Sequence, residues 1–531
     1  MTSTLLRPTA TVTVGAETVK VSDGDVGLDA GSAPYGSATV TVPLVDPDDI
    51  ELLDPRDDVR ATIVGANDSI GDIFPVDDHF PESDVFPGQP GTSRTFDLGL
   101  RSREVDHKGK TITLELATDE AILMDYATLV VDSGARAHEA SLRAVCDYIL
   151  GKIGASLASG VWDADVTARW PVTNAVLNAL CDTTAGFTHG TNADSLAAET
   201  SPSTPVIGAA YCYWRSISTG DSYIDVQGEL SVDPGATVRA SAWFASGSAV
   251  LPNARVMVRV VDDNGITLQE VHGNTVATGA IFQKSALSVV AGQGAAKARL
   301  FLQNVASALA TQSCRFDAPM LYVDVEDVEE FSGSSTDSDT YTFSWAGDVE
   351  NSASVRTPVV DRPRDLFTWK PGVTAWDFLE PFTSAAGLRL FCDETRTWRL
   401  INPAEYEVPG RVSVAGWNAT EGTDRIDRSD PNVWCTGVVV HYTWRDDAGV
   451  QQEAFDHAGT PGRVLVWEYN RPYPGPGAAA AILARRSGAG RRQDVTALSD
   501  WTVTPGAEAS ITLPATVEQV GTMQSVRWQF T

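Results

Sequence analysis

Apolar and polar residues alternate with a period of two in residues 10–14, 37–42, 59–64, 96–100 and 111–116, with turn-forming residues between the runs. Successive side chains of a strand point to opposite faces, so this alternation predicts half-buried strands closing into a barrel or sandwich. Between the third and fourth runs lies an acidic loop containing Asp68, Asp72, Asp77, Asp78, Glu82 and Asp84. Its carboxylate spacing matches no helix-loop-helix calcium site, and a solvated loop is expected. The period changes over 136–154, where Ala137, Leu142, Val145, Cys146, Ile149 and Ile153 recur every three or four residues, as on one helix face. A second helix is expected over 172–180. A third is expected over 374–386, where Trp376, Leu379, Phe382 and Ala386 make a stripe that Gly387 ends.

A different texture runs from about residue 202 to 358. Helical period is scarce, and short strands are expected over 211–217, 223–232, 237–245, 255–261, 267–271, 297–305 and 314–323. Asp233-Pro234-Gly235 and Asp263-Asn264-Gly265 supply turns, the second a strong hairpin signal. The pattern predicts an inserted jelly-roll sandwich. The last part returns to the opening theme, with strands over 437–444 and 464–469, an Ala-rich helix over 477–488 and a final strand ending at Phe530.

Alternation also nominates a binding face. On the strand 237–245, Val238, Ala240, Ala242 and Phe244 share one side and Arg239 and Trp243 the other. By the same count Val256, Val258 and Val260 point inward while Met257 and Arg259 point outward, and Leu300 and Leu302 oppose Arg299, Phe301 and Gln303. Rings beside guanidinium and amide groups suit a sugar, whose CH face stacks and whose hydroxyls take donors. Trp243, Arg239, Arg259, Phe301, Arg299 and Gln303 are therefore the candidate carbohydrate contacts. Against this stands the bland reading that a neighbouring loop covers these aromatics.

Charge narrows the partners. With 70 acidic and 39 basic residues the formal net charge is −31, which leaves no cation surplus for a nucleic-acid backbone but suits a duct through which DNA slides without sticking. Lysines are few and arginine dominates, a bias that points to a GC-rich genome. Cys146, Cys181, Cys212, Cys314, Cys392 and Cys435 show no paired spacing, so buried free thiols are expected, with a Cys212–Cys314 disulfide as the alternative. No apolar run reaches the length of a secretory signal or a transmembrane helix, and a soluble protein is expected. Signatures of serine hydrolases, zinc proteases, nucleotide-phosphate loops and dinucleotide folds are absent, and the seven histidines show no ligand-like pairing. No enzyme activity and no cofactor are expected.

The segment YGSATVTVPLVDPDDIELLDPRDDVRATI at 35–63, continued by TFDLGLRSREVDHKGKTITLELATDEAILMDY at 95–126, resembles the opening barrel of minor tail proteins from phages of GC-rich actinobacteria. WDFLEPFTSAAGLRLFCDETRTWRLINP at 376–403 is similar to their small mixed linking domain, and LPATVEQVGTMQSVRWQF resembles the closing hairpin of their second barrel. The central block resembles a carbohydrate-binding jelly roll, with YVDVEDVEEFSGSSTDSDTYTFSWAGDVENSASVR trailing it.

The resemblance implies a mainly β protein with some α: a first tail-tube-like barrel at 1–130, a linking domain at 131–200 and 359–410, the jelly roll at 201–358, and a second barrel with a helix at 411–531. It further implies a homotrimeric tail hub in the virion's tail tip, assembled in the host bacterial cytoplasm. Its partners would be the distal tail protein, the tape measure protein, tail-tip or fibre proteins and a host cell-surface polysaccharide, with DNA passing unbound. Related jelly rolls often hold a structural calcium, for which Asp317 is the candidate ligand. The rival readings are a cell-wall polysaccharide hydrolase with a targeting module and a dedicated receptor-binding tip protein.

Overall fold

The computed structural model describes residues 9–15, 17–44, 50–51, 53–67, 92–247, 253–277, 279–307, 312–324, 326–415, 419–446, 449–487 and 491–530. The acidic loop with Asp68, Asp72, Asp77, Asp78, Glu82 and Asp84 lies outside the described residues. The chain divides into two compact units, Met1–Ala168 with Arg362–Thr531, and Arg169–Asp361. The protein is mainly β with some α.

In the first unit an eight-stranded sheet runs in the order Glu17–Val19, Thr9–Val14, Arg60–Ala66, Ser93–Asp106, Thr111–Ala117, Gly36–Pro43, Asp23–Asp29 and Ser525–Phe530. The inward set of each alternation meets in one core that holds Val12 and Val14 from near one edge and Trp528 and Phe530 from the other. A sheet whose two edges share a core is rolled on itself. Sequence reading assigns the last strand to a second barrel. It instead pairs with Asp23–Asp29, because Trp528 and Phe530 turn inward and Trp528 stacks on Trp501 with ring centres 5.1 Å apart.

Among the described residues the rest of the C-terminal part forms four short sheets. In one of them Gly437–Arg445 pairs antiparallel with Gln451–Gly459 and parallel with Val464–Tyr469. The helix Ala478–Ser487 packs on that sheet through Ala478, Ala479 and Ile482, and the Asp456 carboxylate accepts from the Gly477 and Ala479 amides at 3.0 and 2.8 Å. Ser141 caps the helix Leu142–Lys152, and Thr374 caps Ala375–Ala385, after which Gly387 takes a left-handed φ of 66°. No helix among the described residues is long and apolar enough to cross a membrane.

The second unit is a jelly-roll-like sandwich. One sheet runs Ala193–Glu199, Tyr211–Ser216, Ser313–Val323, Thr237–Ser246, Gln283–Val290. The other runs Thr267–His272, Asn253–Val261, Lys297–Ser307, Gly220–Val226, Phe187–His189, with Leu230–Ser231 and Val276–Ala277 at its margins. The inner faces enclose Trp214, Phe244, Phe316, Val256, Val258, Leu300 and Leu302, all without exposure. The hairpin at Asp263-Asn264-Gly265 forms as expected, with the Gly265 amide donating to Asp262 at 3.0 Å and φ of 80° at Gly265.

Three expectations change here. The unit begins at Arg169, not at 201, because Phe187–His189 and Ala193–Glu199 complete the two sheets by pairing with Gly220–Val226 and Tyr211–Ser216. The helix expected over 172–180 is the strand Val172–Asn174 followed by turns. Pro171 and the β-branched pair Val172-Thr173 favour extended backbone, and the Asn174 side chain is spent on Pro319 O and the Leu321 amide. Cys212 and Cys314 lie on adjacent strands, but Cys212 faces Phe316 and Cys314 faces Trp214 across the ladder, so both are buried free thiols.

Candidate functional site

The six nominated carbohydrate contacts do not share a face. Arg239 and Trp243 stand on Thr237–Ser246 in the five-stranded sheet, whereas Arg259, Arg299, Phe301 and Gln303 stand on Asn253–Val261 and Lys297–Ser307 in the seven-stranded sheet. Each set points away from the common core, so the two sets lie on opposite outer faces of the sandwich.

The seven-stranded face is the richer one. Its antiparallel register sets Arg255 opposite Gln303 and Gln303 opposite Tyr223, and Met257 opposite Phe301 with His272 and Asp225 beyond them. Arg259 stands opposite both Arg299 and Glu270. A chain of hydrogen bonds follows the first row. Arg255 Nε donates to Gln303 Oε1 at 2.6 Å, and Gln303 Nε2 donates to Asp221 Oδ2 at 2.7 Å and to Tyr223 Oη at 3.1 Å. Gln303 is 1% exposed and spends its amide inside this chain, which fixes the groups around it and takes it out of reach of a ligand.

The rings are less available than alternation alone predicts. Phe301 is 8% exposed because the Arg259 guanidinium lies over it at 4.6 Å from the ring centre, with that of Arg299 at 6.0 Å. Met257 is wholly buried on the same outward side. The face therefore has an apolar floor under long cationic side chains, and it meets solvent through Tyr223, Arg255, Arg259, Arg299, His272 and Glu270. Arg259 pairs with Glu270 at 2.8 Å, and Arg299 reaches Asp225 at 3.4 Å. Burial raises the Asp225 carboxyl above its usual range against the pull of Arg299 and Arg259, and its Oδ1 has no partner among the described residues. His272 is held below the usual imidazole value, first by burial and then by the positive charge of Arg255, against the opposing pull of Glu270 and Asp221.

On the five-stranded side Trp243 is half-buried against a cluster of Tyr211, Ala245 and Phe282, together with Val206 from the strap that precedes Tyr211. Asp317 sits directly opposite Trp243 on the next strand and is wholly buried. Its Oδ2 accepts from the Val206 and Ile207 amides at 2.5 and 3.3 Å, and its Oδ1 from the Ala318 amide at 2.7 Å. Burial pushes this carboxyl up to about 7 in spite of the three donors.

That arrangement does not fit a calcium ion. Amide dipoles occupy the directions a cation would need, and no group of three His, Cys, Asp or Glu side chains poised for a metal occurs among the described residues. Asp317 is a tether for the strap. The sequence reading missed Tyr223, Arg255, Asp221 and His272. Arg255 was legible as the position four before Arg259 on the same alternating strand, and Asp221 and Tyr223 as the polar phase of a strand whose other phase is Ser222, Ile224 and Val226.

No protein-family model matches the chain, and no curated protein matches it. Among solved structures, the CBM22-1 xylan-binding domain of Paenibacillus barcinonensis Xyn10C is similar over 30% of this chain and 99% of that one, at 16% identity and a TM-score of 0.23. The enzymatically active domain of bacteriophage CBA120 tailspike protein 4 is similar over 28% of this chain and 21% of that one, at 11% identity and a TM-score of 0.24. An arabinose-bound MgGH51 α-L-arabinofuranosidase is similar over 30% of this chain and 27% of that one, at 19% identity and a TM-score of 0.24. The chain thus spans about a quarter of the length of the latter two proteins.

Proposed function

We propose that this chain is a binding and assembly protein, not an enzyme: a hub subunit of a phage tail tip whose inserted sandwich holds a glycan on the outer face of the seven-stranded sheet. The observation that carries the glycan reading is the hydrogen-bonded row Arg255, Gln303, Asp221 and Tyr223. It presents a preset guanidinium and phenol from rigid strands, which lowers the ordering cost of recognising hydroxyl groups. The hub reading rests on the sequence resemblance. It is supported by the short sheet of the C-terminal part, whose strands Gln451–Gly459 and Val464–Tyr469 are both edges, since unpaired strand edges are what neighbouring subunits complete.

Retention of the full chain on immobilised host cell-wall polysaccharide tests the first reading. Tyr223→Ala should weaken it in a variant that remains folded at the assay temperature, and equal retention of the variant refutes this face. Mass photometry of the chain mixed with the adjoining tail ring, followed by electron microscopy, tests the second: a threefold ring around an axial passage is expected. A monomeric glycan-cleaving species would favour the hydrolase, and a peripheral position on the particle the receptor-binding tip protein.

A further inference from the structure

The seven-stranded face carries more cationic chemistry than a neutral sugar requires. Arg255 donates Nε to the neutral amide of Gln303 and has no carboxylate partner among the described residues, so its terminal nitrogens remain as donors. One strand interval away, Arg259 and Arg299 stand directly opposite each other over the same Phe301 ring. Like charges in direct register repel, and the two guanidinium groups meet here over one ring. Arg259 is paired with Glu270 at 2.8 Å, whereas the counter-charge of Arg299 is looser. Arg299 meets Asp225 at 3.4 Å and Glu229 only at 3.8 Å, while Asp225 keeps one oxygen unpartnered among the described residues and its carboxyl is raised by burial against the pull of both arginines. His272 is held below its usual value first by burial and then by Arg255, against Glu270 and Asp221, which places it within the field of the Arg255 guanidinium. All of this stands on a chain of net charge −31, whose overall field repels polyanions, so attraction of one must come from a local arrangement.

Resting on the glycan reading of the same face, we infer that its ligand is an acidic polysaccharide, carboxylate- or phosphate-bearing. One anionic group would sit at Arg255 beside His272 and a second between Arg259 and Arg299. Arg255 and Arg259 are four residues apart on one strand, about 13 Å at the usual rise, so the ligand that bridges both stations is a chain running along Asn253–Val261 and not a single sugar. A planar guanidinium is suited to both anions, since it offers two parallel donors to either.

Affinity electrophoresis of the full chain through gels containing polygalacturonate, poly(glycerol phosphate) or a neutral galactan tests this. Retardation is expected in one or both acidic gels, and which of the two retards assigns carboxylate or phosphate. Arg255→Gln should lower the affinity roughly tenfold, the scale of one charge-assisted hydrogen bond, in a variant that remains folded at the assay temperature, and Arg255→Lys should recover part of it. Raising the salt should weaken retardation in the acidic gels. Retardation in the galactan gel that Tyr223→Ala removes and Arg255→Gln does not would leave the glycan face standing and overturn the anionic ligand. Failure of both acidic gels to retard the wild-type chain would overturn it as well.

Discussion

On the five-stranded side of the sandwich the outward ring, Trp243, is closed over by the protein's own strap, tied down through Asp317. On the seven-stranded side the outward ring, Phe301, is closed over only by side chains, and those side chains are cations. Both faces arise from the same alternation on strands of similar length. What separates them is the material used as cover. A strap of backbone spends its donors on a buried carboxylate and leaves nothing for a ligand. A roof of arginines keeps donors at its outer surface and can part without unfolding.

The largest expected effect lies in the strap. Asp317 has a folded-state value of about 7 against an ordinary aspartate value near 3.8, so it is raised. A raised carboxyl binds its proton more tightly in the folded state. Its favourable contribution is therefore full below the unfolded value and is lost as the pH rises through 7. Across pH 4 to 8 the wild-type chain should lose about 4 kcal/mol of stability relative to Asp317→Asn, read as the difference between two denaturant midpoint series. A difference that stays flat over this interval would mean that Asp317 is not buried as a protonatable tether.

Next comes the ring beneath that strap. Trp243→Ala should cost about 2–3 kcal/mol, less than a wholly buried tryptophan, and leave glycan retention untouched. The Trp243 Nε1 is buried without a partner among the described residues, so Trp243→Phe should cost under about 1 kcal/mol, since it gives up an unpaired donor along with the lost ring area. Loss of retention in either variant would move the binding face to the five-stranded side and collapse the comparison.

The sequence disclosed these two faces unevenly. Strand phase was legible, since alternation alone put Val238, Ala240, Phe244, Val256, Val258, Leu300 and Leu302 in the core, where they are wholly buried or nearly so. Sheet membership was not. Nothing local says that Thr237–Ser246 pairs with Ser313–Val323 while Asn253–Val261 pairs with Lys297–Ser307, because these pairings close over long separations in the chain. Grouping Trp243 with Arg259 and Phe301 therefore joined residues from opposite sides. The same non-local pairing hid the unit's true start, where Phe187–His189 and Ala193–Glu199 are short and weakly patterned and take their strand character from their partners. In the first unit the final strand was legible as a strand, but its partner, Asp23–Asp29, lies almost the whole chain away.

A smaller effect is expected on the seven-stranded side. Arg259→Gln removes the cation over Phe301 and the half-exposed pair with Glu270, and it relieves the facing charge of Arg299. The first two together are worth about 1 kcal/mol and the relief offsets part of that, so a net loss of about 0.5 kcal/mol is expected. Calorimetry at two salt concentrations checks the sign of the charge contribution. If the like-charge pair strains the fold, added salt should stabilise the wild type more than the variant.

Arg255→Gln, also modest in its effect on stability, separates support of the fold from recognition of a ligand. Arg255 makes one hydrogen bond, donating to Gln303 Oε1, while Asp221 and Tyr223 take the other end of that amide, Nε2, and Arg255 forms no ion pair among the described residues. A shorter amide in its place loses that bond and leaves Gln303 Oε1 short of a donor while the Nε2 contacts persist, a cost of about 1 kcal/mol that should lower the melting temperature by about 2–4 °C. An arginine that forms no ion pair among the described residues, yet is held in place by a buried glutamine on a rigid strand, keeps its terminal donors for a partner outside the fold. If Arg255→Gln instead unfolded the sandwich, the arginine would belong to the core's support, and the distinction between a face closed by backbone and a face held open by cations would lose its clearest member.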